Sequence, residues 1–240
     1  MIFDCHMHLG DFPLFNVSLD EPGLDELVAS CGLDKAIVFH PDNSLVQRAV
    51  AERPQIFGLV WANPRESDCA QTVESYLNDP NFRGIKLHPL LDGYHPNDPM
   101  VHPLADLAAE RGLPMLIHTG HPIFTLPWSV EELAQAKPGT KVIMGHMGHG
   151  NIIYINAAID AAERRPNVYL ETSGMPMHAK IAEAVNRVGA DRVLYGSDAP
   201  FHHPEVEILK VKLSGIKQSE MTMVLGMNAE RIFFGDNNSS

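Results

Sequence analysis

Short apolar runs alternate along the chain with longer stretches in which apolar residues recur every three or four positions. The short runs lack the polar–apolar alternation of a strand with one face in water, so they predict strands that are buried on both faces. We place eight such strands, over Ile2–Leu9, Lys35–His40, Ile56–Asn63, Gly84–His88, Pro114–Thr119, Lys141–His146, Asn167–Ser173 and Arg192–Asp198.

The stretches between these runs predict amphipathic helices. An apolar stripe from Leu24 to Cys31 follows helical spacing and stops at Gly32, a residue type that commonly ends helices. Ser129 and Glu132 have the spacing of a capping box at a helix start. Further helices are predicted around Leu104–Ala108 and over Ile152–Arg165, Lys180–Val188, Glu205–Leu213 and Met221–Phe234.

Eight strand–helix units in 240 residues predict an α/β protein, a compact (β/α)8 TIM barrel with few insertions. We expect one domain over residues 1–235 and a polar tail over residues 236–240. A doubly wound open sheet is the alternative. The barrel is favoured because residues capable of chemistry end strands along the whole chain, and only a barrel brings all those ends around one pocket.

The composition is ordinary for a globular enzyme, with 45% hydrophobic and 20% charged residues. A formal net charge of −12 argues against nucleic acid or an anionic membrane as a partner. No apolar run approaches the roughly 20 residues that cross a bilayer, and no signal peptide is visible. Three scattered cysteines indicate a reducing compartment. We expect a cytoplasmic protein with a small-molecule substrate, and the sequence leaves homo-oligomerisation open.

Residues that bind metals or exchange protons lie at the ends of the predicted strands. His6 and His8 are two positions apart in the first strand, so alternation puts both side chains on one face and Cys5 on the other, away from the barrel interior. Later strands contribute, in chain order, Lys86, His88, His118, His146 and Asp198. Imidazoles and a carboxylate at one level of a barrel predict a site for a divalent metal.

This pattern resembles the amidohydrolase superfamily of metal-dependent hydrolases. The matching features are His-x-His on strand one, histidine on strands five and six, and aspartate on strand eight. The Gly-His-Met-Gly and Gly-Ser-Asp-Ala-Pro segments after strands six and eight, and the ending Leu-Gly-Met-Asn-Ala-Glu-Arg-Ile-Phe, are similar to its amidohydrolase-related branch. That branch includes aminocarboxymuconate-semialdehyde decarboxylase. The match runs from the first predicted strand to the last.

The resemblance implies that His6, His8, His118 and Asp198 ligate the metal, expected to be Zn²⁺, as one ion or two. His146 would stand beside it, either ligating a second ion or hydrogen-bonding the bound water and the substrate. A divalent metal lowers the pKa of bound water toward 7. Asp198 would accept that water's proton and pass it to the leaving group, which makes Asp198 and His146 the expected catalytic residues.

Lys86 and His88 are the expected substrate-binding residues, although each has alternatives. In binuclear members of the superfamily, a strand-four lysine is carboxylated and bridges two metals. Lys86 would otherwise bind a substrate carboxylate as a point charge, or form an ion pair with Asp4 or Glu171 inside the barrel. His88 is a ligand, a substrate contact or a rim residue. Among the loop histidines, His202 and His203 are expected near the pocket mouth, whereas His95, His121 and His178 are equally consistent with loop packing.

The leading functional prediction is a metal-dependent hydrolase that cleaves a C–N, C–O or lactone bond of a small molecule. The alternative is a metal-dependent non-oxidative decarboxylase of a small unsaturated or aromatic carboxylic acid, a lyase on the same scaffold. A third possibility is a barrel that binds a metal or a small molecule without catalysis. Such a protein would be expected to lack one of the metal-coordinating residues, and here the predicted set of these residues is complete. No loop carries a motif that names the substrate.

Overall fold

The computed structural model of the protein describes residues 1–235, and the predicted polar tail lies outside them. Within that range, eight parallel strands form a nearly closed barrel, which confirms the predicted TIM barrel. In chain order they are β1 (Phe3–His8), β2 (Lys35–Phe39), β3 (Ile56–Trp61), β4 (Phe82–Leu87), β5 (Pro114–His118), β6 (Lys141–Gly145), β7 (Val168–Glu171) and β8 (Val193–Leu194). That residues 1–235 act as one domain stays a prediction.

The barrel closes through a few single contacts between β1 and the segment after β8. The strand predicted over Arg192–Asp198 ends at Leu194 because the backbone N–H of Tyr195 bonds Val224 instead of a neighbouring strand. Farther along, Asp198 donates its N–H to His6 at 2.7 Å, and His8 donates to Ala199 at 2.6 Å. These bonds bring the segment that follows β8 directly against the end of β1.

Helices α1 to α8 lie between successive strands, as expected for βα units, and α9 to α11 follow β8. They are α1 (Glu21–Cys31), α2 (Asn43–Ala51), α3 (Cys69–Leu77), α4 (Pro89–Asp92), α5 (His102–Glu110), α6 (Pro127–Ala136), α7 (Ile152–Arg164), α8 (Ala179–Val188), α9 (Pro204–Leu213), α10 (Gln218–Thr222) and α11 (Asn228–Phe234). Gly32 ends α1 in the left-handed conformation, as predicted. The predicted capping box is wrong, because α6 starts at Pro127 and has no side-chain cap.

Alternation along the strands separates two apolar layers. In β2, Ala36 and Val38 pack with helix residues such as Leu24, whereas Ile37 and Phe39 belong to a second cluster that fills the barrel interior. At the amino-terminal end of the barrel, Ile232 and Phe233 of α11 join this interior cluster. The opposite end, where the strands terminate, is therefore the end at which a pocket forms.

A β-bulge interrupts the alternation of β1. Asp4 pairs with Ala36 but Met7 pairs with Val38, so β1 carries one extra residue relative to β2. Cys5 consequently belongs to the interior cluster, whereas Met7 packs under the helices. The prediction that Cys5 faces away from the barrel interior is wrong for this reason.

A short antiparallel hairpin, which the sequence pattern did not predict, follows β1. It pairs Gly10–Phe12 with Val17–Leu19, and a 3-10 turn over Pro13–Phe15 joins the two strands. The hairpin carries Phe12 and Phe15 to the mouth of the barrel. Within residues 1–235, no helix combines the length and the apolar character needed to span a bilayer.

Candidate functional site

A cavity of about 220 Å³ opens at the carboxyl-terminal end of the barrel. Four of the predicted site residues line it, together with apolar side chains from the hairpin and the loops. The lining residues are His8, Phe12, Phe15, His88, Leu90, Leu91, His118, His121, His149, Asp198, Phe201 and His202. The cavity therefore combines imidazoles and one carboxylate with an apolar wall, as small-molecule sites commonly do.

Three of the four predicted metal ligands meet at the floor of this cavity. Asp198 Oδ1 lies 3.1 Å from His8 Nε2 and 3.3 Å from His6 Nε2. Burial lowers the pKa of both imidazoles well below their ordinary value, so both are neutral, the form in which histidine binds metals. Two neutral imidazoles and a carboxylate, with ligand atoms all within 4.8 Å of one another, fit a divalent cation.

Glu171, from β7, orients His6. Its Oε2 lies 2.7 Å from His6 Nδ1 and also accepts hydrogen bonds from the Ser173 hydroxyl at 2.8 Å and the His146 backbone at 3.1 Å. Since Nδ1 of His6 donates its proton to Glu171, its Nε2 keeps the lone pair that a metal requires. Carboxylates commonly orient metal-binding histidines in this way. The sequence analysis considered Glu171 only as a partner of Lys86.

Three phenylalanine rings fix His8. The rings of Phe12, Phe39 and Phe201 approach it edge-on, with centroids 4.8, 4.6 and 5.0 Å away. Nδ1 of His8 is buried and has no hydrogen-bond partner among the described residues. Ring packing therefore orients this imidazole and directs its Nε2 at Asp198.

Lys86 is fully buried below the cavity. Its Nζ lies 3.0 Å from His6 Nε2 and 4.3 Å from the centre of the Phe39 ring. Burial lowers the pKa of the amine to about 8, against the opposing effect of the nearby carboxylates Asp198 and Glu171. The hydrogen-bond neighbour of Lys86 is thus His6 rather than Asp4 or Glu171. Asp4 instead accepts hydrogen bonds from the backbone of Ser197 and of His6.

His118 and His146 form a chain of imidazoles beside the three ligands. His118 Nδ1 lies 3.0 Å from His146 Nε2, and His118 Nε2 lies 2.9 Å from His121 Nδ1. On its other side, His146 Nδ1 contacts the Ser173 hydroxyl at 3.0 Å. Both ring nitrogens of His118 therefore face other histidines. The structure brings His118 next to His146 and outside the group formed by His6, His8 and Asp198.

The backbone is left-handed at several of these positions. Asp198, His146 and His149 have φ values of 62°, 65° and 56°, although none is glycine. Such conformations are costly and cluster at functional sites in proteins. In this protein, they turn the chain sharply where β6 and the segment after β8 reach the pocket.

The sequence analysis missed His149 and left His121 open between the pocket and loop packing, and both line the cavity. Each comes three positions after a strand-end histidine, and that spacing was the available signal. His202 lines the pocket as expected, whereas His203 borders a different cavity. Phe12 and Phe15 depend on the hairpin, which the apolar pattern did not reveal.

The Gly148→Ala variant is expected to destabilise the protein by about 1–3 kcal/mol, the usual cost of an overpacked site. Gly148 has a φ of 89°, and a Cβ there would overlap the backbone of Tyr154. The turn that carries His146 and His149 would have to move. Thermal unfolding measures the loss. The matched control is Gly150→Ala, whose Cβ would meet nothing within 4 Å; an equal loss in both variants would contradict the prediction.

A sequence model described as Amidohydrolase matches residues 3–235, almost the whole described chain. The chain belongs to the amidohydrolase family. The resemblance drawn from the strand-end residues is thereby confirmed, and the protein is an enzyme of this family.

Relatives of this amidohydrolase include γ-resorcylate decarboxylase of Rhizobium radiobacter, 24% identical over 242 residues that cover 80% of this chain and 74% of the relative. Among solved structures, a dihydroxybenzoic acid decarboxylase from Polaromonas with bound manganese superposes with a TM-score of 0.77 at 15% identity, covering 97% of this chain and 96% of the other. An amidohydrolase from Burkholderia multivorans with bound zinc also gives 0.77, at 14% identity, covering 97% and 99%.

The expectation of a hydrolase is wrong. Relatives of this chain are named γ-resorcylate decarboxylase. Its structural neighbours include decarboxylases of 5-carboxyvanillate and of dihydroxybenzoates. The predicted metal ligands that suggested hydrolysis, Asp198 among them, do not by themselves distinguish the two reactions. The findings support the alternative reading, a non-oxidative decarboxylase.

Proposed function

We propose that this protein is a metal-dependent non-oxidative decarboxylase of a single-ring aromatic carboxylic acid. The observation that carries the proposal is the shape and lining of the cavity above His6, His8 and Asp198. A protein cavity of about 150 Å³ holds one benzene ring, so a cavity of about 220 Å³ has room for one substituted ring. Phe12, Phe15 and the other apolar lining residues suit the faces of such a ring.

The proposed metal is one Zn²⁺ ion, held by His6, His8 and Asp198 with His118 as the predicted fourth ligand. When bound, a divalent ion supplies a Lewis acid that polarises a substrate oxygen. One ion is proposed because Glu171, in the other group with suitable spacing (His6, His146 and Glu171), already accepts hydrogen bonds from the His6 ring, the Ser173 hydroxyl and the His146 backbone. Manganese in one structural neighbour and zinc in another support a divalent ion.

Asp198 is the proposed proton donor. In the metal-free site, burial raises the pKa of its carboxyl group to about 7, and a divalent ion beside the group would lower that value. Carboxyl groups placed in this way act as general acids and bases. Loss of CO₂ breaks the bond between the ring carbon and the carboxyl carbon and leaves the electron pair on the ring. The proton of Asp198 then forms the new C–H bond, and the carboxylate recovers a proton from solvent.

His88 and Lys86 are the proposed substrate-binding residues. His88 Nδ1 accepts the backbone N–H of Leu91 at 3.3 Å, and burial keeps the pKa of this imidazole well below its ordinary value. The neutral ring therefore carries its proton on Nε2, which makes His88 a donor to a substrate oxygen in the cavity. The positive charge of Lys86, which lies below His6, would attract the substrate carboxylate.

A substrate panel tests this function. The zinc-loaded enzyme is incubated with γ-resorcylate and 5-carboxyvanillate, the acids named for its relatives and neighbours, and with a lactone and an aryl ester. We expect CO₂ release and a decarboxylated ring, measured by chromatography, from at least one single-ring acid. Turnover of the lactone or the ester without CO₂ release from a broad set of aromatic acids would overturn the proposal.

A further inference from the structure

Four aromatic rings stack in a column along one wall of the site. Trp61 lies 5.4 Å from His88 with an interplanar angle of 11°, His88 lies 4.1 Å from His118 at 17°, and His118 lies 5.0 Å from His121 at 16°. The rings come from β3, from the residue after β4, from β5 and from the loop after β5. Two of them, His88 and His118, are predicted site residues.

Trp61, at one end of the column, is anchored at three points. The Asn43 side chain donates to the Trp61 carbonyl at 2.9 Å and accepts the Trp61 N–H at 2.8 Å. The indole N–H donates to Asp92 at 3.3 Å. Trp61 and Asn43 are both buried. The column therefore starts from a ring whose backbone and side chain are both fixed.

One short helix connects this anchor with His88. Helix α4 starts directly after His88 and ends at Asp92. Its first turn donates the N–H of Leu91 to His88 Nδ1, and its last residue accepts the indole N–H of Trp61. The positions of the indole and of the His88 ring are thus set by the same four residues.

The hydrogen bond from Leu91 alone does not fix the plane of the His88 ring. A ring held at one atom still rotates about the bond to its Cβ, since that torsion is broad for histidine. The faces of the ring decide its plane, and they pack on Trp61 and His118. Removal of the indole face would let His88 turn, so that Nε2 no longer points at one place in the cavity.

We infer that Trp61, anchored by Asn43 and Asp92, is a positioning residue that sets the planes of His88 and His118 and thereby aims the Nε2–H of His88 into the cavity. The inference rests on the proposed function for its effect on turnover. The ring plane and the tautomer of His88, which the inference also predicts, do not depend on the substrate.

Two variants of Trp61 separate stacking from simple volume. Trp61→Phe keeps an aromatic face on His88, whereas Trp61→Leu fills space without one. The control is Trp128→Leu, at the other tryptophan of the chain, which is half exposed and lies outside the cavity lining. Histidine-selective ¹⁵N NMR of the zinc-loaded protein reports the tautomer of each imidazole, and steady-state kinetics reports kcat and KM separately.

In the wild-type protein and in Trp61→Phe, we expect His88 to keep a single Nε2–H tautomer. In Trp61→Leu, the His88 signals should move toward a tautomer mixture and kcat should fall about 10- to 100-fold, as expected for a catalytic contact misplaced by about 1 Å. Trp128→Leu should match the wild type. Unchanged His88 signals and unchanged kcat in folded Trp61→Leu would overturn the inference.

Asp92→Ala provides a second variant if Trp61→Leu does not fold. It removes the acceptor of the indole N–H from a partly exposed side chain and leaves the barrel interior filled. The His88 signals should shift in the same direction as in Trp61→Leu, by a smaller amount, and their constancy would overturn the inference. If no aromatic acid is turned over, the proposed function fails while the NMR comparison still decides the role of Trp61.

Discussion

The Asp198→Asn variant is expected to lose about 10³-fold or more of kcat, within the range of about 10²- to 10⁴-fold that general acid–base groups contribute. The amide nearly matches the carboxyl group in size and keeps one oxygen beside His6 and His8, but it has no proton to give at neutral pH. In the metal-free wild-type site, burial raises the pKa of Asp198 to about 7. Release of CO₂ at saturating substrate measures the effect.

Metal content per chain accompanies this measurement, because Asp198 is also a proposed ligand. If Asp198→Asn loses metal as well as activity, the loss of activity could come from either role of Asp198. The assay is therefore repeated at zinc concentrations that restore one ion per chain. The control is Asp68→Asn, an exposed residue before α3 that makes no side-chain cap. A metal-replete Asp198→Asn enzyme that keeps more than a tenth of wild-type kcat would remove Asp198 from proton transfer.

The Glu171→Gln variant is expected to weaken zinc binding by about 10- to 100-fold, the usual effect of changing the group that orients a metal-binding histidine. Glu171 accepts hydrogen bonds from His6, from the Ser173 backbone and hydroxyl, and from the His146 backbone. A glutamine offers one oxygen and turns an NH₂ group toward these donors. His6 would then lose the fixed acceptor that keeps its proton on Nδ1 and leaves Nε2 free for the metal.

Competition with a chromogenic chelator measures the zinc affinity of Glu171→Gln, and chemical denaturation is run alongside to identify any loss of stability. Glu52→Gln, at an exposed position after α2, is the matched control. If Glu171→Gln were folded and bound zinc as tightly as the wild-type protein, the orienting role of Glu171 would be wrong.

The sequence predicted most of the barrel because each strand is a short apolar run and each long helix has an apolar stripe. It did not predict the bulge in β1, since the extra residue becomes apparent only through pairing with Ala36 and Val38 of β2. The early end of β8 has the same kind of cause. The N–H of Tyr195 bonds Val224, although its carbonyl still accepts the N–H of Cys5 at 3.2 Å, and the local sequence pattern does not indicate the bond to Val224.

The site was predictable where a residue acts at the end of its own strand. His6, His8 and Asp198 were identified in this way and meet at the cavity floor. Glu171 and Trp61 contact His6 and His88 across or around the barrel, so their place beside the site depends on which strands are neighbours. The reaction was not predictable from the predicted ligands, because such a set suits both water activation and decarboxylation.

The packing of α11 under the barrel sets when the barrel interior can close. Ile232 and Phe233 seal the interior at the end opposite the pocket, with the Phe233 ring 6.1 Å from that of Phe3. The first strand and the last described helix therefore meet in one contact. That contact cannot form before α11 has left the ribosome, and until then the apolar interior is open to water at this end. We expect nascent chains that still lack α11 to bind chaperones.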